Sequence, residues 1–156
     1  MNTYSTAVAL GALAGMRTNS APAAASRLLS RHPSDELEHT PLAFMQRKGT
    51  ANVFSALTIG EFIGDKIPSA PDRVKPMGLV FRCLSGAVAC AAVFKASGKS
   101  AYAGAALGAA VAAGATFASF YARKKFVKKT DLYDPIVGAV EDALVAKIAE
   151  QIIRKG

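Results

Sequence analysis

There is no tryptophan among the 156 residues, and only two cysteines and two histidines. Each shortage closes off a kind of chemistry. Cys83 and Cys90 share one apolar segment. Seven residues of helix rise about 10.5 Å, beyond the ~7 Å Cα separation that a disulfide tolerates. No CxxC pair exists to build a finger-type metal site. His32 and His39 fall in a polar connector and read as solvated. No HExxH, phosphate-binding glycine loop, GxSxG or Ser/His/Asp arrangement is present. The sequence therefore gives no ground for an enzyme, a cofactor or an identifiable metal ligand set. An enzyme acting on lipid would need its acids gathered at one interface.

Charge is also missing where its absence matters most. Residues 100–122, "SAYAGAALGAAVAAGATFASFYA", carry no Asp, Glu, Lys, Arg or His. The run is longer than the ~20 residues that cross a ~30 Å hydrocarbon core. Its Ala and Gly are the residues that membrane helices use where they pack closely. A net charge of +8 is compatible with nucleic-acid binding, but the densest basic cluster, "RKKFVKK" at 123–129, directly follows this run. A juxtamembrane collar meeting anionic headgroups explains it better than a nucleic-acid surface, which needs a basic face with polar or aromatic readers. The partner expected is the lipid bilayer, not nucleic acid.

What is present suggests one all-α membrane domain, 1–156, a small polytopic helical bundle of about five apolar segments. They are Tyr4–Leu29, Ala51–Ile67, Met77–Phe94, Ala101–Ala122 and Pro135–Ile153. "SRHPSDELEHTPLAFMQRKG" links the first two, with "PLAFM" as an interfacial turn. No basic region precedes "TAVALGALAGM" and Arg17 follows it, so this reads as a retained first helix and not a cleaved signal. Asp134-Pro135 opens the fifth segment as an N-cap and N1 pair.

Two short matches relate the ends of the chain. "ALGALAGM" (9–16) is like "ALGAAVAA" (106–113), and "EFIGDKI" (61–67) is like "DALVAKI" (142–148). They suggest a first repeat at 4–67 and a second at 101–153, inserted upside down about a connecting helix at 77–94. Transporters often use such inverted repeats, with their sites at the repeat interface. Lys and Arg outside the apolar segments divide equally between the two sides of a five-span layout. The positive-inside rule then gives no orientation, although the 123–129 cluster favours that end facing the cytoplasm. Insertion in both orientations with antiparallel dimers fits this even division, and a homo-oligomer is expected. "GALAG", "SGAVACAA" and "GAALGAAVAAG" are small-residue packing stretches.

Six charged residues within or beside apolar segments are the candidate site: Arg17, Glu61, Asp65, Arg82, Glu141 and Asp142. Arg17 lies in "GALAGMRTNSAPAAA". That is the composition of a discontinuous helix, whose second half would begin at Ala21-Pro22, capped by Ser20, and present its positive end to an anion. The alternative is a short helix, a surface turn and a second surface helix, with Arg17 snorkelling to headgroups. Arg82 needs a carboxylate or a wet cavity if it is deep, and snorkels if it is not. Glu61 is the acid placed deepest, and Asp65 sits nearer the interface with Lys66 and Pro68. Glu141 and Asp142 point about 100° apart on a helix, so one of them should face the interior. The repeat aligns Asp142 with Glu61, and the pair would hold a proton or cation while the arginines hold an anionic group. The alternative for the fifth segment, given its charge load, is an amphipathic surface helix with its acids in water.

"ALGALAGMRTNSAP", "EFIGDKIPSAPDR", "FRCLSGAVACAA" and "DPIVGAVEDALVAKIA" together resemble the family catalogued as domain of unknown function 4126. Its members are small, mostly bacterial, predicted integral membrane proteins. The resemblance implies a multi-pass protein of the inner (cytoplasmic) membrane and supplies no activity. Other members carry an Asn-Pro-like break in the first segment, where this chain has Arg17 and a later Pro22. Two functional classes fit: a small ion- or proton-coupled transporter or channel with a central charged site, and a structural membrane protein whose charges form internal salt bridges.

Overall fold

A computed structural model describes residues 2–64, 76–130 and 134–155. Asp65, Lys66 and Pro68 lie outside the described residues. Seven α-helices run in the order α1 (Thr3–Met16), α2 (Ser20–Arg31), α3 (Asp35–Glu38), α4 (Lys48–Gly64), α5 (Pro76–Ala96), α6 (Ala101–Thr130) and α7 (Asp134–Lys155). A 3₁₀ turn at Pro41–Gln46 occupies the expected interfacial "PLAFM". No strand occurs among the described residues.

The centre is α1 packed between α5 and α6, with α2 alongside and α4 against α2. Small residues let the backbones approach. A Cβ on Gly86 would lie 2.7 Å from the Gly108 carbonyl oxygen, and one on Gly108 would collide with the Gly86 carbonyl in return. Leu10, Leu13, Ala89, Cys90, Phe94 and Ala112 close the core around these contacts.

The first apolar segment departs from the expected discontinuous helix: its two halves run in opposite directions. The Tyr4 ring meets Phe94 edge-on at 5.2 Å near the end of α5. Ser34, just past α2, donates to the Ala96 carbonyl at that same end (2.9 Å). Between them, Gly15 lies against Arg82 and Thr18 against Ser85, near the start of α5. The chain therefore reverses at 17–19, and α1–α2 is a hairpin. Neither arm, at 14 and 12 residues, is long enough to cross a membrane. Fourteen residues of α5 separate Arg82 from Ala96, so the hairpin tip sits about 21 Å from its open end.

The all-α expectation holds among the described residues, and the five-span layout is met only in part. Among the described residues two helices are long and apolar enough to cross a membrane, Met77–Ala96 and Ala101–Ala122. Met77, Val80, Phe81 and Leu84 form an outward apolar stripe along the first of them, the kind of exposed surface that marks a membrane or protein contact. The described residues do not confirm the inverted repeat. Where α1 and α2 reverse, α6 runs unbroken for 30 residues.

Candidate functional site

The reversal at 17–19 frees backbone groups deep in the protein, and a buried polar group without a partner is costly. Side chains from other helices meet them. The Gly15 carbonyl accepts from Arg82 Nη1 (2.6 Å) and lies 3.1 Å from the Thr116 hydroxyl of α6. The Thr18 carbonyl accepts from the Ser85 hydroxyl of α5. Ser20 Oγ lies within reach of both the Leu13 (3.0 Å) and Arg17 (2.7 Å) carbonyls. Gly15 itself permits the approach, since a Cβ there would be 2.5 Å from the Ala112 carbonyl oxygen.

Glu61 takes the two backbone amides that lead into α2. Its Oε1 accepts from Thr18 N (2.8 Å), and its Oε2 from Asn19 N (3.0 Å) and Asn19 Nδ2 (3.3 Å). Free N–H groups and the helix dipole favour an anion at such a terminus. Here the anion is a side chain of α4. This corrects the expected cap. The helix begins at Ser20 with Asn19 as its N-cap, and the Ser20 hydroxyl turns back to carbonyls of the preceding turn.

Arg17, the largest fully buried side chain at 1% exposure, points the other way. Its Nε and Nη2 both donate to Asp142 Oδ1 of α7, at 2.9 and 2.5 Å. Arg17 is therefore inside the protein and does not snorkel to a surface. Arg82 is 6% exposed and is likewise interior. Glu141 and Asp142 are both half-buried, and Asp142 accepts from Arg17. The tip thus gathers Arg17, Glu61, Arg82 and Asp142 from α4, α5, α7 and the reversal itself. Asp65 lies outside the described residues. His32 and His39 are exposed, as expected of a solvated connector.

Sequence reasoning missed Ser85, Thr116 and Asn19. A signal was available, because hydroxyl and amide side chains within small-residue membrane helices tend to bond across helices. Nothing local said which carbonyls they would meet.

The described residues form an all-α bundle, and its two helices long and apolar enough to span a membrane suggest a membrane protein. Residues 5–150 match the family described as Domain of unknown function (DUF4126), and the chain belongs to it. No curated protein matches the chain, and no solved structure does.

Proposed function

We propose that this is a multi-pass protein of the inner (cytoplasmic) membrane that conducts a proton or small ion through the hairpin tip. The observation that carries the reading is Glu61 seated on the N-terminus of α2. Ionisable groups within apolar segments are costly and mark ion and proton pathways. Glu61 and Asp142 approach adjacent residues of one turn from two different helices. A proton reaching Glu61 removes an acceptor oxygen from the α2 terminus and loosens the tip. An anionic solute competes for the same N–H donors. Either event couples occupancy of the tip to the packing of α4 against α2.

In proteoliposomes loaded with a pH-sensitive dye, wild-type protein should dissipate an imposed proton or ion gradient. Glu61→Gln, which keeps shape and hydrogen-bonding capacity, should reduce that flux at least tenfold while leaving the helical content intact. Unchanged flux removes Glu61 from the pathway.

The closed Arg17–Asp142 pair favours a second reading, a structural membrane protein whose charges lock the hairpin. In that case the swap Arg17→Asp with Asp142→Arg restores folding lost in either single variant, and no gradient collapses in any of the proteins.

A further inference from the structure

The polarity of α4 is reversed. Val53, Leu57, Ile59 and Ile63 are exposed, while Ser55, Thr58 and Glu61 are half-buried. A surface helix packed in water does the opposite and hides its apolar stripe. The polar side of α4 is turned to α2, its main packing partner. Ser55 Oγ accepts from Arg27 Nε at 3.0 Å, and Glu61 accepts from the Thr18 and Asn19 amides. Thr58 stands three residues from each, between these two contacts.

The three side chains form a line along the α2–α4 seam. Ser55 Oγ donates to the Ala51 carbonyl (2.7 Å) and Thr58 Oγ1 to the Phe54 carbonyl (2.8 Å). Each hydroxyl thus commits its donor to its own helix and keeps its oxygen as an acceptor. Ser55 uses that capacity on Arg27, and Thr58 offers it to a water midway to Glu61. On α2 the matching line runs Asn19, Ala23, Arg27, four residues apart, and its middle member is only a methyl. The outer end of the seam meets a surface groove of about 350 Å³ lined by Arg27, Ser30, Arg31, Lys48, Ala51 and Asn52. Arg31, Asp35, Glu36 and Lys48 are exposed at that end of the bundle, and such charges stay in water. Glu61 lies about 20 Å along α4 from Lys48.

We propose that the seam between α2 and α4 is a water-lined crevice, entered at this groove and passing Ser55 and Thr58 to Glu61. It supplies the outer half of a conduction path and rests on the reading of Glu61 given above. Ionisable groups within membrane helices face such wetted interiors, and the apolar outer face of α4 is left to lipid.

Cysteine reactivity in lipid nanodiscs tests the crevice, on the full chain with Cys83 and Cys90 replaced by Ala. The probe is a charged methanethiosulfonate, which attacks the thiolate. Thr58→Cys should react about tenfold faster than Leu57→Cys or Ile59→Cys, because a thiol in apolar surroundings stays protonated. The two controls flank Thr58 at the same depth and occupy the exposed face. With the native cysteines in place, a water-soluble carbodiimide should modify Glu61. Thr58→Leu, which fills the seam with an apolar side chain, should slow that modification about tenfold by dewetting it.

Neither readout needs ion flux. Faster labelling of Thr58→Cys in a protein that dissipates no gradient keeps the crevice and removes the conduction reading. Flux with Thr58→Cys no faster than its neighbours keeps conduction and overturns the crevice. Equal or inverted rates at the three cysteines, a Glu61 that resists the carbodiimide, or a Thr58→Leu chain modified as fast as wild type also overturns the proposal.

Discussion

Replacing Arg17 by Met should destabilise the protein by about 3–5 kcal/mol, the usual cost of removing one partner from a buried ion pair. Arg17 is almost wholly buried, and two of its nitrogens reach one oxygen of Asp142. Methionine fills much of the same volume but leaves the carboxylate inside the protein without that cation. The loss is therefore electrostatic more than steric. The double variant Arg17→Met with Asp142→Leu should recover most of it, because an apolar pair of similar volume removes both desolvation costs together. Equilibrium unfolding in mixed micelles measures the series. An Arg17→Met protein as stable as wild type would show that the hairpin tip does not depend on α7.

Gly108→Ala should be the second severe change, at about 2 kcal/mol or more, within the range for overpacked cores. The added methyl would meet the Gly86 carbonyl and, at 2.8 Å, Cys90 Cβ. The first obstacle is backbone, which has no rotamer to yield, so α5 and α6 must separate along their whole contact. Gly114 provides the control on the same helix, since a Cβ there meets nothing within 4 Å. Gly114→Ala should be neutral or gain up to about 1 kcal/mol from helix propensity. Opposite signs for one chemical change, measured in the same unfolding assay, would separate packing from propensity. Equal effects at the two positions would mean that the α5–α6 contact is looser than the glycines imply.

The parts of this architecture set by local composition were readable. The charge-free stretch inside α6 and the apolar run of α5 follow from length and residue type alone. The polar connector with its exposed histidines follows from "SRHPSDELEH". The interruption near Arg17 was also legible, because Gly, a short polar run and Pro seldom continue a helix. Its direction was not. "RTNSAP" permits a straight break, a surface turn or a reversal, and what decides among them lies far along the chain. Ser85 is 67 residues from Thr18, and Asp142 is 125 from Arg17. The match of "EFIGDKI" to "DALVAKI" aligned Glu61 with Asp142. Asp142 reaches Arg17 while Glu61 reaches Thr18 and Asn19, so the two acids approach one hairpin tip through different partners. Glu61 as the cap of α2 was hidden for a similar reason: Ser20 stood next to Pro22 and supplied a sufficient local cap.

The central claim is that α1 and α2 form a hairpin, so that in the membrane setting proposed above both of its ends face the same side. Single cysteines can test it, introduced after Cys83 and Cys90 are replaced by Ala. Asn2→Cys and Glu36→Cys mark the two ends of the hairpin and Lys125→Cys lies beyond the α6 span; all three positions are exposed. In sealed vesicles of defined composition, a membrane-impermeant maleimide should label Asn2→Cys and Glu36→Cys to the same extent. Lys125→Cys should show the complementary extent. Labelling of Asn2→Cys and Glu36→Cys from opposite sides would mean that the first apolar segment crosses the membrane, and would contradict the hairpin.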